Sequence, residues 1–306
     1  MRLNILFIWF TVVVVISPAA TPASEIKIID TIGEQTFSKP PQRAVVLNWD
    51  LLEQVLELNV VPVGAPNIAG YRQWVVQPKI PGKVADIGTR AEPNLEKIAR
   101  LAPDVILAAS PQKDLLPSLT RIAPVVFLAN YGLEDPSAER AIQHFKTLST
   151  LFGREEIAGR KLKKMENRFK TLRTEIAEAF GQPPGVVAMR FSNITSVWVY
   201  GENSTAHYVL QKLGLGIAMP QPAAPWGIVQ KRLKEMQYVN NGYVLYIMPF
   251  PDEKRILQSV LWRAMPFVRG KRVNSVSPVW NYGGAISLMY MAEAFTKSLL
   301  ELAPER

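Results

Sequence analysis

The sequence contains no cysteine. That excludes disulfides, thiol nucleophiles, thiolate zinc sites, iron–sulfur clusters and a lipid-bearing N-terminal cysteine. Histidine is nearly as scarce, with only His144 and His207. A His-rich metal site is therefore excluded, and a Ser-His-Asp triad has two histidines to draw on. His144 reads as a helix-surface residue and His207 as the opening of a helix, and neither has an acid at metal-ligand spacing. Blocks of one charge are also missing. The 35 Lys and Arg against 26 Asp and Glu are spread along the chain, which points to no nucleic-acid partner. Neither a phosphate loop nor a G-x-S-x-G nucleophile elbow occurs. Gly214-Leu215-Gly216 lacks a third glycine and follows a helix, the wrong setting for a dinucleotide. Ser110-Pro111-Gln112-Lys113 fits S-x-x-K without the companion motifs that would make it catalytic.

What the chain does hold is enough apolar residue to fold: 306 residues, 48% hydrophobic and 20% charged. That length suits two domains or one large one. Arg2 precedes an apolar run, Ile5 to Ile16, and then small residues ending in Thr21-Pro22-Ala23. Residues 1–23 thus read as a cleavable signal peptide that directs the chain to the periplasm, because the run is short of the roughly 20 residues a span needs. No later segment is apolar enough to cross a bilayer.

From residue 24, apolar runs alternate with helical patterns. Ile26–Ile29, Ala44–Leu47, Val60–Val63, Asp104–Ala108 and Val125–Leu128 read as strands. Helices are predicted from about Asp50 to Asn59 and over Asn94–Leu101. The predicted class is α/β with mostly parallel sheets. A helix over Ala138–Leu151 ends at Gly153. Beyond it Ala158, Leu162, Met165, Phe169, Leu172, Ile176 and Phe180 recur at spacings of three and four, predicting one helix about 39 Å long at 1.5 Å per residue. Alternation then restarts: strands at Val186–Met189, Val197–Tyr200 and Tyr243–Ile247, helices at Ala206–Leu213 and from about Ala285 to Leu302. The expected organisation is an N-terminal lobe (24–153), a connecting helix (154–180) and a C-terminal lobe (181–306). A ligand cleft is expected between the lobes.

Candidate binding residues come from loops. Trp74, Trp226, Trp280 and Tyr282 lie in Pro- or Gly-rich stretches of both halves, where flat apolar faces with one donor each suit a shared cleft. Arg90 lies in Asp86-Ile87-Gly88-Thr89-Arg90-Ala91-Glu92-Pro93-Asn94-Leu95-Glu96, just before a helix. Its planar fork suits an oxygen-rich anionic ligand. The alternative is a surface salt bridge to Glu92 or Asp86.

Several stretches resemble the periplasmic ferric-siderophore binding proteins of ABC importers. One is Gly88-Thr89-Arg90-Ala91-Glu92-Pro93-Asn94-Leu95-Glu96 followed by Ala102-Pro103-Asp104-Val105-Ile106-Leu107. This part is similar to the wider cluster that also takes vitamin B12 and haem. Tyr71-Arg72-x-Trp74, the Trp262–Arg269 stretch and Pro278-Val279-Trp280-x-Tyr282-Gly283 resemble the ferric hydroxamate branch. The resemblance implies two α/β lobes on one long helix. It also implies a monomer that binds without turnover and gives a ferric siderophore to an inner-membrane ABC permease. Arg90 would bond the iron-bound hydroxamate oxygens, with Trp74, Trp226, Trp280 and Tyr282 as aromatic walls. Where the family often has a tyrosine, this chain has Ser110-Pro111-Gln112-Lys113, so Gln112 or Lys113 would substitute. A cationic floor there would favour an anionic hydroxamate–citrate chelate over a neutral trihydroxamate. Asp114, and Glu235 in the second lobe, would dock the permease. Iron would be held by the siderophore, with no cofactor of the protein's own. The alternatives are another ferric chelate, B12 or haem on the same fold, or a secreted α/β hydrolase using Ser110 or His207.

Overall fold

The computed structural model describes residues 25–130, 132 and 136–304. The signal-peptide reading of residues 1–23 lies outside the described residues. A hairpin, β1 (Ile26–Asp30) and β2 (Gly33–Phe37), opens the described chain. The first sheet is formed by β3 (Ala44–Val46), β4 (Gly64–Ala65), β5 (Ala85–Asp86), β6 (Val105–Ala108) and β7 (Val125–Phe127). All its pairings are parallel and its order is β5-β4-β3-β6-β7. The second sheet contains β8 (Gly185–Asn193), β9 (Ser196–Tyr200), β10 (Gly216–Ile217), β11 (Ile228–Arg232), β12 (Tyr243–Ile247) and β13 (Val273–Val276). It is mixed, because β8–β9 and β9–β11 pair antiparallel while β10, β8, β12 and β13 pair parallel.

The helices are α1 (Trp49–Glu57), α2 (Ile68–Trp74), α3 (Leu95–Arg100), α4 (Leu116–Leu119), α5 (Ser137–Phe152), α6 (Glu155–Phe180), α7 (Thr205–Lys212), α8 (Glu253–Gln258), α9 (Val260–Ala264), α10 (Pro266–Arg269) and α11 (Ser287–Leu300). None is long and apolar enough to cross a membrane. The 26-residue α6 runs between Gly153, left-handed at φ 61°, and Gly181, at φ 71°. The Gly153 end matches the punctuation read in the sequence.

The inner strands of each sheet, such as β3, β6 and β12, are buried on both faces, which is why they read as unbroken apolar runs. Successive side chains point to opposite sides. Ala44 and Val46, Val105 and Leu107, Val186 and Ala188, and Leu245 and Ile247 therefore share one continuous core with α1, α5, α6, α7 and α11. Val45 and Ile106 enter an outer core on the first sheet, and Val187, Met189 and Val244 one on the second. The shared core includes Ala158, Met165, Phe169, Leu172 and Ile176 of α6, so the connecting helix is packed by both lobes.

Two local expectations are corrected, and one burial is unforeseen. The strand read at Val60–Val63 forms at Gly64–Ala65, because Pro62 cannot donate to a ladder. His144 is buried, at 5% exposure, since α5 is covered by β1, α1, α6 and α7 rather than on one face. Helix α1 buries its polar side as well as its apolar one: Asp50, Glu53, Gln54 and Glu57 are all under 5% exposed. That side meets the C-terminal lobe. Glu53 Oε2 accepts the Gly284 N–H at 2.8 Å, and Glu57 takes the Tyr290 hydroxyl and the Lys161 ammonium. The glycines after Tyr282 permit this approach, since a Cβ on Gly284 would collide with Gln54.

Candidate functional site

In the first sheet the strand order reverses between β3 and β6, and open α/β sheets place ligands beyond the strand carboxyl ends at such a reversal. The segments leaving these ends gather Asn48 after β3, Asn67 after β4, Arg90 after β5 and Pro111 after β6. From the other lobe come Trp226, Ile228, Trp280 and Tyr282. Together they enclose a cavity of about 480 Å³. A second cavity of about 370 Å³ shares Asn67, Arg90, Trp280 and Tyr282 with the first and adds Trp49, Trp74, Arg190 and Trp198. These two form one cleft between the lobes.

The Arg90 loop is fixed by its own polar residues. The Asp86 carboxylate accepts the N–H groups of Gly88 and Ile68, both at 2.9 Å. Thr89 Oγ1 accepts the Glu92 N–H, and Asn94 caps α3 by accepting from Lys97. Gly88 makes the turn at φ 97°, a conformation that favours glycine. Arg90 thereby projects over aromatic rings, not toward Asp86. Its guanidinium carbon lies 4.1 Å from the Trp49 ring centroid and 5.4 Å from that of Trp280, inside cation–π range.

The aromatics form a chain across the cleft. Trp49 meets Trp280 edge-on at 5.1 Å, Trp280 meets Tyr282 at 5.4 Å, and Tyr282 meets Trp226 at 6.1 Å. Trp49 is anchored by its indole N–H, which donates to Pro66 O at 2.9 Å. Trp226 is 44% exposed and holds a left-handed φ of 62°, a strained backbone for a bulky residue that lifts its indole to the rim. Trp74 does line the cleft, but as the last residue of α2 rather than a loop residue.

The structure assigns Gln112 differently from the sequence. It is fully buried and spends both ends of its amide on backbone. Its Oε1 accepts the Ala109 N–H at 3.1 Å and its Nε2 donates to Arg90 O at 2.8 Å. Gln112 thus positions the Arg90 loop and does not face the cleft. Lys113 is exposed and lines neither cavity. The cationic floor expected at these two residues is therefore absent from that place. Replacing Gln112 with leucine strands both backbone partners in a buried site, each costing about 1–3 kcal/mol. A denaturant melt of Gln112→Leu is expected to show a loss of about 2–6 kcal/mol, and no loss would remove this role for the amide.

Two groups missed in the sequence complete the cleft. Arg190 and Trp198 are cross-strand partners of β8 and β9. The apolar run Val186–Met189 reads as a strand that stops before Arg190, whereas β8 continues to Asn193. Trp49 was hidden at the first turn of α1. Asp50, beneath this layer, has its carboxyl pushed up to about 6 by burial, while the Asn130 amide, at 2.6 Å, and Arg90 pull it back. No Asp or Glu lines either cavity among the described residues. Nor does any group of three or more His, Asp or Glu among them offer a metal site.

The hydrolase residues are placed elsewhere. Ser110 Oγ donates to Asn130 O at 2.7 Å and accepts the Asn130 N–H at 2.9 Å, so its hydroxyl ties two loops together. His207 lies in the first turn of α7, where its backbone N–H donates to Ser204, and burial lowers the imidazole pKa. Asp114 is exposed in the 3-10 turn Ser110–Leu115, three residues beyond the cleft wall at Pro111. Glu235 is half-buried, and its carboxylate accepts the Arg232 N–H at 2.7 Å.

Similar proteins share this arrangement of lobes. The structure of the siderophore binding protein FhuD from Vibrio cholerae, bound to Fe3+-Desferal, superposes with a TM-score of 0.86 at 63% identity, covering 86% of this chain and 99% of that one. The iron(3+)-hydroxamate-binding protein FhuD of Escherichia coli K12 is 26% identical over 85% of this chain and 87% of its own. The Fe(3+) dicitrate-binding periplasmic protein FecB of the same organism is 27% identical over 82% of each. Residues 45–278, which carry nearly all of both sheets and every wall of the cleft but Trp280, Asn281 and Tyr282, match the model of one family. This chain belongs to the periplasmic binding protein family.

Proposed function

We propose that the protein captures a ferric hydroxamate-type siderophore in the periplasm and delivers it to an inner-membrane ABC permease for iron uptake. One observation supports this most: a guanidinium, Arg90, held on aromatic faces in a cleft that no carboxylate lines among the described residues. A ferric hydroxamate presents oxygen-rich edges around an apolar body, and this wall offers donors and flat rings in matching amounts. The likeness to a 63% identical protein holding Fe3+-Desferal supports the same ligand class.

In this reading Arg90 donates to the iron-bound hydroxamate oxygens, while Trp74, Trp226, Trp280 and Tyr282 pack on the chelate. Gln112 acts through the Arg90 backbone. The siderophore supplies all the oxygens that iron(III) requires, so the protein binds cargo and needs no cofactor. Residues 24–153 and 181–306 act as the two lobes on the 154–180 connector. The monomer docks on the permease through Asp114 in the first lobe and, more weakly given its committed carboxylate, Glu235 in the second.

The test is a tryptophan-fluorescence titration with ferric desferrioxamine, ferrichrome, cyanocobalamin and haemin, run beside an esterase assay. Saturable quenching by the two ferric hydroxamates alone, with no ester turnover, is expected. Saturation by cyanocobalamin or haemin instead would move the ligand to another class, and turnover would replace the reading with a hydrolase.

A further inference from the structure

Arg190 is the other cation of the cleft, and it comes from the opposite lobe. On β8, Val186 and Ala188 face the shared core, so the two-residue period puts Arg190 on the same inner side. It is 4% exposed. One N–H donates to Val279 O at 3.1 Å. Its Nε and Nη1 have no hydrogen-bond partner among the described residues, although both atoms are buried. The Tyr200 hydroxyl lies near enough to hydrogen-bond the guanidinium and feel its charge, and the Trp74 ring centroid is 5.2 Å from its guanidinium carbon. No carboxylate pairs with it among the described residues. Buried charges are ordinarily paired and their donors satisfied, since an unpaired one costs far more than a neutral group. A side chain left this way at a cavity wall is waiting for a partner from outside the chain.

We propose that Arg190, beneath Trp74 and beside Trp198, forms an anion subsite that takes a carboxylate carried on the ferric hydroxamate chelate. Arg190 brings from the second lobe a positive charge that no acid lining the cavity offsets among the described residues. A neutral trihydroxamate leaves that charge uncompensated, whereas a chelate with a carboxylate arm neutralises it. Trp74, half-buried at the end of α2, is the side chain that turns aside to admit the arm. The subsite thus selects among hydroxamates by charge, and it restores the anionic preference that Gln112 and Lys113 do not supply. This inference rests on the siderophore-binding reading.

The probes are two ferric desferrioxamines with one iron core, their tail amine capped with either acetate or succinate, so that they differ by a carboxylate. Wild-type protein is expected to bind the succinyl chelate about ten- to a hundredfold more tightly, the effect of one charge-assisted hydrogen bond. Raising the salt concentration should narrow that gap. Arg190→Gln should abolish it, lowering the affinity for the succinyl chelate at least about tenfold more than that for the acetyl chelate. Should Arg190→Gln fail to fold, Arg190→Lys and the salt series on wild type decide the matter, because both read the charge in a folded chain. Equal wild-type affinities, a gap indifferent to salt, or an equal loss of both chelates in the variant would overturn the subsite. Failure of wild type to bind either chelate would instead remove the siderophore reading beneath it.

Discussion

Arg90→Ala is expected to weaken the ferric siderophore by about ten- to a hundredfold, the worth of a charge-assisted hydrogen bond of about 1.5–3 kcal/mol. The fold should survive. The bonds that shape the loop come from Asp86, Thr89, Asn94 and Gln112, and the last of these reaches only the Arg90 backbone. The side chain adds its stacking on Trp49 and Trp280, and that loss falls on the preorganised site rather than on the core. Titration calorimetry beside a thermal melt separates the two effects. Unchanged affinity in a folded variant would show that Arg90 does not touch the ligand.

Phe169→Ala carries the largest expected loss of stability, about 3–5 kcal/mol. This is a substantial part of the roughly 5–15 kcal/mol that holds a typical domain. Phe169 is 3% exposed near the middle of α6, edge-on to Tyr208 of α7 at 6.4 Å. It belongs to the core that both sheets share, so its cavity opens beneath the joint between the lobes. The helix has no proline, and Gly159 lies near its start, so nothing in its middle permits a sharp bend. Urea melts followed by far-UV circular dichroism should keep one transition and shift its midpoint. A loss under about 1 kcal/mol would mean that α6 is a tether rather than a shared core element.

Periodicity made much of this legible. The apolar stripe from Ala158 to Phe180 predicts α6 to its last residue because one face of a regular helix must stay dry along its length. Asn94, capping α3, and the left-handed Gly153 are local signals and act where they stand. What periodicity cannot see is polar burial. Glu53, Gln54 and Glu57 look like the wet side of α1, yet they are covered by a lobe more than 220 residues further along the chain, as the Glu53–Gly284 bond shows. Gln112 misleads for the same reason, since a buried amide and an exposed one read alike. Arg190 looks like the end of a strand because hydropathy falls there. Its inner register becomes evident only once Trp198 is paired opposite it. The aromatic loops were legible because Trp226, Trp280 and Tyr282 stand among Pro and Gly, where their own segments offer little to pack on.

The central claim is that the protein recognises the outside of an intact chelate and adds no ligand to the iron. Chelator-washed protein mixed with one equivalent of ferric desferrioxamine and passed through a sizing column tests this directly. The visible ferric-hydroxamate absorption should travel with the protein at one chelate per chain, with its band position unchanged, while ferric salt alone leaves no iron on the protein. A shifted band, or iron retained from the salt without siderophore, would contradict it.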